Sequence, residues 1–337
     1  MRFAFTEEQQ LFQKSVRECL ARTCTASDLR DAWNPEKTGR SSDRLRALSE
    51  LGVMSALVPE AHGGLSMKML DVMLPLEECG RAALPEPIVE SAIVAAPLLT
   101  ALGGALAERW LPAIARGDAI VTVGLSDAPF VVDAHLAELL LLQRGDAIHA
   151  FPKGEFAFTR EASVDGARRL FRVSVEATKS TCVAEGDHAR ALGAAAFDRG
   201  ALATAAMLIG LSRRMLDMTV DYVKVRKQFG APIGSFQAVK HHLADALLAV
   251  ELAAPLVSHA AYVEADTSMH PMHVSMAKAR ASDAAHVVSR AALQCHGAIG
   301  YSFEHDLHLF MKRAWALSAS YGDSAFHRAR VGRALGI

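Results

Sequence analysis

The chain has few of the features that mark a secreted, nucleic-acid-binding or membrane protein. Cysteine is sparse: Cys19, Cys24, Cys79, Cys182 and Cys295 form no Cys-x-x-Cys pair, and an odd number argues against a disulfide framework. A reducing cytoplasm is the simplest expectation. Aromatic residues make up only 6% of a chain that is 51% hydrophobic. The apolar content is therefore mainly Ala, Leu and Val, which favours packed helices over a large β-sandwich. Neither sign of charge is in excess, with 36 basic residues against 37 acidic ones. No basic block and no basic-aromatic interleaving occurs, which leaves nucleic-acid binding without support. The N-terminus lacks the apolar core of a secretion signal, and the longest apolar runs read as too short to span a bilayer. A soluble protein is expected, and 337 residues are enough for more than one domain.

What is present is a helical pattern built around one polar knot. Leu202, Ala205, Leu208, Ile209, Leu216, Val220 and Val223 recur at three-and-four spacing before Arg226-Lys227-Gln228-Phe229-Gly230. Val239, Leu243, Ala246, Val250, Ala253, Val257 and Ala260 recur after it. Such spacing gives each of two long helices one buried face, and Gly230, Pro232 and Gly234 break the pattern into a helical hairpin. The knot suits something anionic and flat: Arg226 forks onto a phosphate, Gln228 donates and accepts, and Phe229 covers a ring. A solvated loop with one buried Phe fits the same residues. Two later helices carry Val274, Ala277, Ala281, Ala284, Val288, Ala291 and Cys295, then Leu307, Phe310, Ala314 and Leu317. With the hairpin they make a four-helix bundle.

Upstream, Thr6-Glu7-Glu8-Gln9 is a capping box that opens a first helix. The stretch 28–42 reads as a loop, 43–51 as a helix, 67–79 as a helix stopped by Gly80, and 88–102 as helical. Between Asp118 and Glu185 the texture changes. Short runs (Ile120 to Val123, Ala137 to Leu142, Phe171 to Val175) alternate with Gly and Asp turns, which is a β pattern.

The run Arg226-Lys227-Gln228-Phe229-Gly230-Ala231-Pro232-Ile233-Gly234-Ser235-Phe236-Gln237 resembles the signature of the acyl-CoA dehydrogenase family. Gln294-Cys295-His296-Gly297-Ala298-Ile299-Gly300-Tyr301 is similar to that family's glycine turn, with Ala298 in place of the second Gly. In the first block, Glu50-Leu51-Gly52, Val58-Pro59-Glu60, Gly63-Gly64-Leu65 and Glu77-Glu78-Cys79-Gly80-Arg81 follow the family's order. The resemblance implies a mainly α fold with a small β domain. It divides into an N-terminal helical domain (1–117), a shortened middle β domain (118–190) and a C-terminal four-helix bundle (191–337). It also implies FAD as cofactor, an acyl-CoA substrate, a dimer or tetramer, and an electron-transfer flavoprotein as acceptor. Arg226, Gln228, Phe229, Gln237, Gln294, Gly297 and Ala298 are then the cofactor contacts, reaching across an interface to a partner's FAD. The stretch that usually lies against the flavin ring survives only as Gly124-Leu125-Ser126-Asp127. Glu304-His305-Asp306-Leu307-His308 has the look of a metal site, but the resemblance makes it a helix start, where acidic residues are favoured. No metal is expected. Glu60 and His62 read as a surface turn.

The residue that starts the family's chemistry is missing. Removing a weakly acidic proton from Cα of a thioester takes a carboxylate in a dry pocket. In the family this is a Glu near the C-terminus. Here Tyr321 or Gly322 stands at its position, depending on the alignment, and Gly200 stands at the alternative position on the first bundle helix. Three readings follow. Asp323 is a displaced base, or the chain is the non-catalytic partner of a full-length acyl-CoA dehydrogenase subunit, similar to subunits of bacterial heteromeric steroid-CoA dehydrogenases. The third is a homo-oligomer with a different flavin activity, or none.

Overall fold

The computed structural model describes residues 4–125, 128, 130–264 and 270–337. Its first block is helical: α1 (Glu7–Thr23), α2 (Ala26–Trp33), α3 (Ser42–Glu50), α4 (Met69–Arg81), a π-helical stretch (Val89–Ala95) continuing into α5 (Ala96–Leu102), and α6 (Gly104–Arg116). α1 begins at the expected capping box, with the Thr6 side chain accepting from the Gln9 amide. α2 runs into the stretch read as a loop, taking up its first six residues. Thr25 and Asp28 form a second capping box that starts it, and Leu29 and Ala32 are its buried side. With Asp rather than Glu or Gln as the reciprocal partner, that signal was easy to pass over.

The middle block holds two small sheets. β1 (Val121–Gly124) runs parallel to β3 (Leu139–Arg144), which pairs antiparallel with β4 (Ala147–Pro152), and β4 with β7 (Cys182–Glu185). The second sheet has β6 (Leu170–Ser174) between β2 (Val131–Val132) and β5 (Ala157–Glu161). β3 explains why Leu139 to Leu142 shows no alternation. Leu139 and Leu141 face the main core, while Leu140 and Leu142 face a smaller one with Phe151 and Phe171. A strand covered on both faces reads as an unbroken apolar run.

The third block is the bundle: α7 (Gly186–Val225), α8 (Gln237–Glu264), α9 (Pro271–His296) and α10 (Leu307–Ala319), with α11 (Ser324–Leu335) packed on α9. α7 is about 60 Å long at 1.5 Å per residue, and every residue from Gly200 to Ser212 is buried. A helix buried all round belongs at the centre. By length and composition α7 and α8 could each cross a membrane, contrary to the expectation drawn from uninterrupted apolar runs. The Ala- and Leu-rich windows reach that hydropathy without any such run. The apolar window of α7 is mostly inside the protein, whereas that of α8 is one-third buried.

The first block meets the bundle where α4 crosses α7. A Cβ on Gly80 would overlap the carbonyl of Met207, and one on Gly210 would overlap the carbonyl of Glu77. Gly80 therefore does not stop α4, which runs on through Arg81; it lets the two backbones touch. Charges clamp the crossing. Glu77 pairs with Arg213 and Arg81 with Asp217 at 2.5 Å, while Glu78 ties α4 to α1 through Arg17 (2.6 Å) and Gln13 (2.7 Å). Burial raises the Glu77 carboxyl to about 7, against the pull of Arg213.

The crossing sets a test. Gly→Ala in a helix gains about 1 kcal/mol of propensity, while overpacking costs roughly 1–3 kcal/mol or more. Because the atom in the way at Gly210 is backbone, the second effect wins. Gly210→Ala should lower the unfolding free energy by about 2 kcal/mol in a urea titration, and an unchanged or raised midpoint would refute the close-crossing account.

Candidate functional site

The knot after α7 folds as a miniature β-hairpin. β8 (Lys227–Gln228) pairs with β9 (Ala231–Pro232) around Phe229 and Gly230, both left-handed with φ of 52° and 79°. Two successive positive φ values make the tight turn whose twist suits a hairpin. Gly230 adopts that conformation freely, whereas for an aromatic residue it is rare and costs on the order of 1–3 kcal/mol. The strained residue holds its ring in water: Phe229 is 94% exposed, with its ring centroid 6.2 Å from that of Phe236. This excludes the loop with a buried Phe. Arg226, Gln228 and Gln237 are also exposed, and the Arg226 side chain makes no hydrogen bond or ion pair among the described residues.

Gln294 lies exposed in the last turn of α9. Gly297, at φ 67°, has open space where a Cβ would be, and Ala298 beside it is exposed. The two candidate groups share one end of the bundle, because Tyr222, near the end of α7, stacks on His296 at a centroid distance of 4.3 Å. Along α8, Leu247, Leu248 and Leu252 are each more than half exposed. An apolar strip of this kind marks a surface made to be covered. Ser126 and Asp127, part of the expected flavin-ring stretch, lie outside the described residues.

The two positions where a base was sought come together. Tyr321's ring occupies the space a Cβ would need at Gly200. Tyr321 and Gly322 are consecutive left-handed residues, with φ of 51° and 87°, and two buried groups hold their turn. Nζ of Lys278 donates to Ser318 O at 2.9 Å, Gly322 O at 3.1 Å and Ser282 Oγ at 3.1 Å. Burial pushes this amine down to about 7, with Asp323 pulling the other way. Three acceptors surround it, however, and only the ammonium has three protons to give, so the charged form fits the geometry. His327 Nε2 donates to Tyr321 O at 2.8 Å, while its Nδ1 accepts from Ser275 Oγ at 3.1 Å. Those partners suit a neutral imidazole, the form that burial favours by depressing His327 to about 4.

Asp323 is exposed and caps α11, accepting from the Phe326 amide at 2.8 Å. The cavity against Tyr321 is about 30 Å³ and is also lined by Glu90, Arg168 and Thr204. That is room for one or two waters and none for an acyl chain. Burial raises the Glu90 carboxyl there, with Arg168 opposing. Glu90, Lys278 and His327 were not singled out from sequence. For Lys278 a signal existed: it lies in the same turn as Ala277 and Ala281, on a helix whose apolar stripe has no need of a charge.

The family models described as acyl-CoA dehydrogenase, N-terminal domain, and acyl-CoA dehydrogenase, C-terminal domain, match residues 6–118 and 191–336. The chain is 31% identical over 312 residues to the acyl-CoA dehydrogenase IpdE2 of Mycobacterium tuberculosis, covering 91% of each. It superposes with a TM-score of 0.89 on a chain of the ChsE4-ChsE5 complex from Mycobacterium tuberculosis, at 25% identity over 100% of this chain and 99% of that one. Butyryl-CoA dehydrogenase from Megasphaera elsdenii has the same fold, with a TM-score of 0.89 at 21% identity and full coverage of both chains.

His327 supplies a pH test. Its folded pKa lies below the unfolded value of about 6.5, so between those values the unfolded chain binds a proton that the native one refuses. Stability is therefore lost as pH falls from 6.5 toward 4. From pH 7 to pH 5 the wild type should lose about 2 kcal/mol more than His327→Gln, read from urea unfolding curves at both pH values. Parallel losses in the two proteins would count against a neutral, buried imidazole.

Proposed function

Because the chain belongs to the acyl-CoA dehydrogenase family, a family of FAD-dependent oxidoreductases of fatty acid and steroid catabolism, we propose that it works as an interface-sharing subunit. In this reading it lends Arg226, Gln228, Gln237, Gln294 and the Gly297-Ala298 turn to the FAD diphosphate of a neighbouring subunit, and that neighbour carries the catalytic base. One juxtaposition carries the proposal. At one end of the bundle an unpaired guanidinium, exposed amides and an open glycine lie together, while at the base position a Tyr ring packs on Gly200 above a cavity too small for substrate.

The donor set fits the diphosphate half of FAD. A guanidinium supplies two parallel N–H groups to a phosphate, and a glycine without a neighbour lets backbone N–H groups approach an anion. Phe229, held outward by its hairpin, is placed to enter the neighbouring subunit and cover a ring. A bound FAD would supply the hydride acceptor for α,β-dehydrogenation of the thioester, and an electron-transfer flavoprotein would be the onward acceptor. The chain's own residues bind and orient the FAD. The apolar strip on α8 supports a close subunit contact in the same assembly. Free thiols at all five cysteines suit a reducing cytoplasm.

Asp323 is the alternative base. Its carboxylate is in solvent and already engaged with the Phe326 amide, the reverse of the desolvated setting that proton abstraction from carbon needs. This disfavours a self-sufficient homo-oligomer.

Co-expression with a complete acyl-CoA dehydrogenase subunit, preferably that of a neighbouring gene, is the test. The expected product is a yellow hetero-oligomer, in which Arg226→Ala weakens FAD binding about tenfold, the equivalent of one charge-assisted hydrogen bond. A homo-oligomer whose bound flavin is bleached by an acyl-CoA, with bleaching abolished by Asp323→Asn, would overturn the proposal.

A further inference from the structure

The stack at the cofactor end of the bundle contains an unexplained atom. His296 is the last residue of α9 and is 5% exposed. Its Nδ1 lies 2.9 Å from the Ala292 carbonyl. A carbonyl only accepts, so Nδ1 carries the hydrogen and Nε2 is left with a bare lone pair. That Nε2 is buried and has no hydrogen-bond partner. Its neighbour His305 has the opposite tautomer, because Nδ1 accepts from the Leu307 amide at 3.1 Å. Tyr222 lies face to face with the His296 ring, 20° from parallel, and His305 meets the ring at 4.7 Å. A buried acceptor without a donor is costly to keep, and His296 precedes Gly297 at the mouth of the glycine turn.

We propose that His296 is a cofactor-positioning residue that takes a proton at Nε2 when the diphosphate of FAD arrives at the Gly297-Ala298 turn, so that FAD binding is coupled to proton uptake. The inference rests on the reading of that turn as a diphosphate contact. Three features favour imidazolium once the anion is present. The C-terminal end of a helix carries negative partial charge and stabilises a cation there. The Tyr222 face lies against the ring, where a cation is attracted. The incoming dianion supplies the opposite charge. Without the anion, burial and the adjacent His305 hold His296 below its ordinary value, opposed by the Ala292 carbonyl. Among the described residues, the titratable groups facing it are Tyr222 of α7 and His305, with Asp306 beside the latter. In the balance, one proton moves from solvent to Nε2 and nothing is oxidised or reduced. The stack also links the two cofactor elements, since Tyr222 O accepts the Arg226 amide at 2.9 Å.

The experiment strips FAD from the assembled oligomer and titrates it back by calorimetry between pH 6 and pH 8, in two buffers of different ionisation enthalpy. Because the effect is complete only well below both pKa values, a rise of about one pKa unit on binding should make FAD bind about three- to sixfold tighter at pH 6 than at pH 8, with net proton uptake. His296→Gln should bind FAD with no proton uptake and a flat pH profile, while His305→Gln keeps both. Wild-type binding without proton uptake, or uptake that survives in His296→Gln, overturns the inference and leaves the interface-sharing reading standing. An oligomer that binds no FAD at any pH sinks that reading and this inference with it.

Discussion

The approach of two helix backbones at Gly80 and Gly210 is the constraint from which the rest of the architecture follows. Carbonyl oxygens occupy the places where side chains would start, so α4 and α7 touch rather than pack through interposed residues. Everything the first block contributes is placed by that contact. The π-helical stretch with Glu90 comes against the middle of α7, and Leu84 delivers its carbonyl to Arg313 of α10 at 2.7 Å. Arg313 also pairs with Asp165 of the middle block, so one buried guanidinium joins all three parts. Breaking one partner of such a pair costs far more than the pair contributes.

The turn at Ser320 to Asp323 is the place where the family's carboxylate is expected. It is not a loose remnant here. A buried amine and a buried imidazole spend five hydrogen bonds around it, and the bidentate pair of Arg330 with Asp198 (2.6 and 3.1 Å) holds the helix that follows. The turn is therefore closed and well satisfied, with its backbone fixed by side chains from α9 and α11.

Long-period features were legible in the sequence. The bundle helices, the capping box at Thr6 and the β texture after Asp118 all follow from apolar spacing and turn chemistry, which are local. The residues around the knot were legible by motif, and their exposure could not be read that way. Phe229 was weighed as a buried ring because aromatic residues usually are; only the positive φ of the turn explains why it is not. Asp323 read as a spare carboxylate because capping is a matter of backbone geometry. Glu90 and Tyr321 are far apart in the chain, and their meeting depends on the Gly80–Gly210 crossing, which no local pattern encodes. Gly80 itself was read as a stop because a helix glycine usually weakens the helix, whereas here its missing side chain is a docking surface for another backbone.

The hairpin tip has one more implication. A ring fixed in water by its own backbone needs no rearrangement to be received, so recognition there depends on what the partner presents and not on induced order in this chain. The same rigidity leaves a solitary copy unable to hide Phe229, or the leucines of α8, by folding them back.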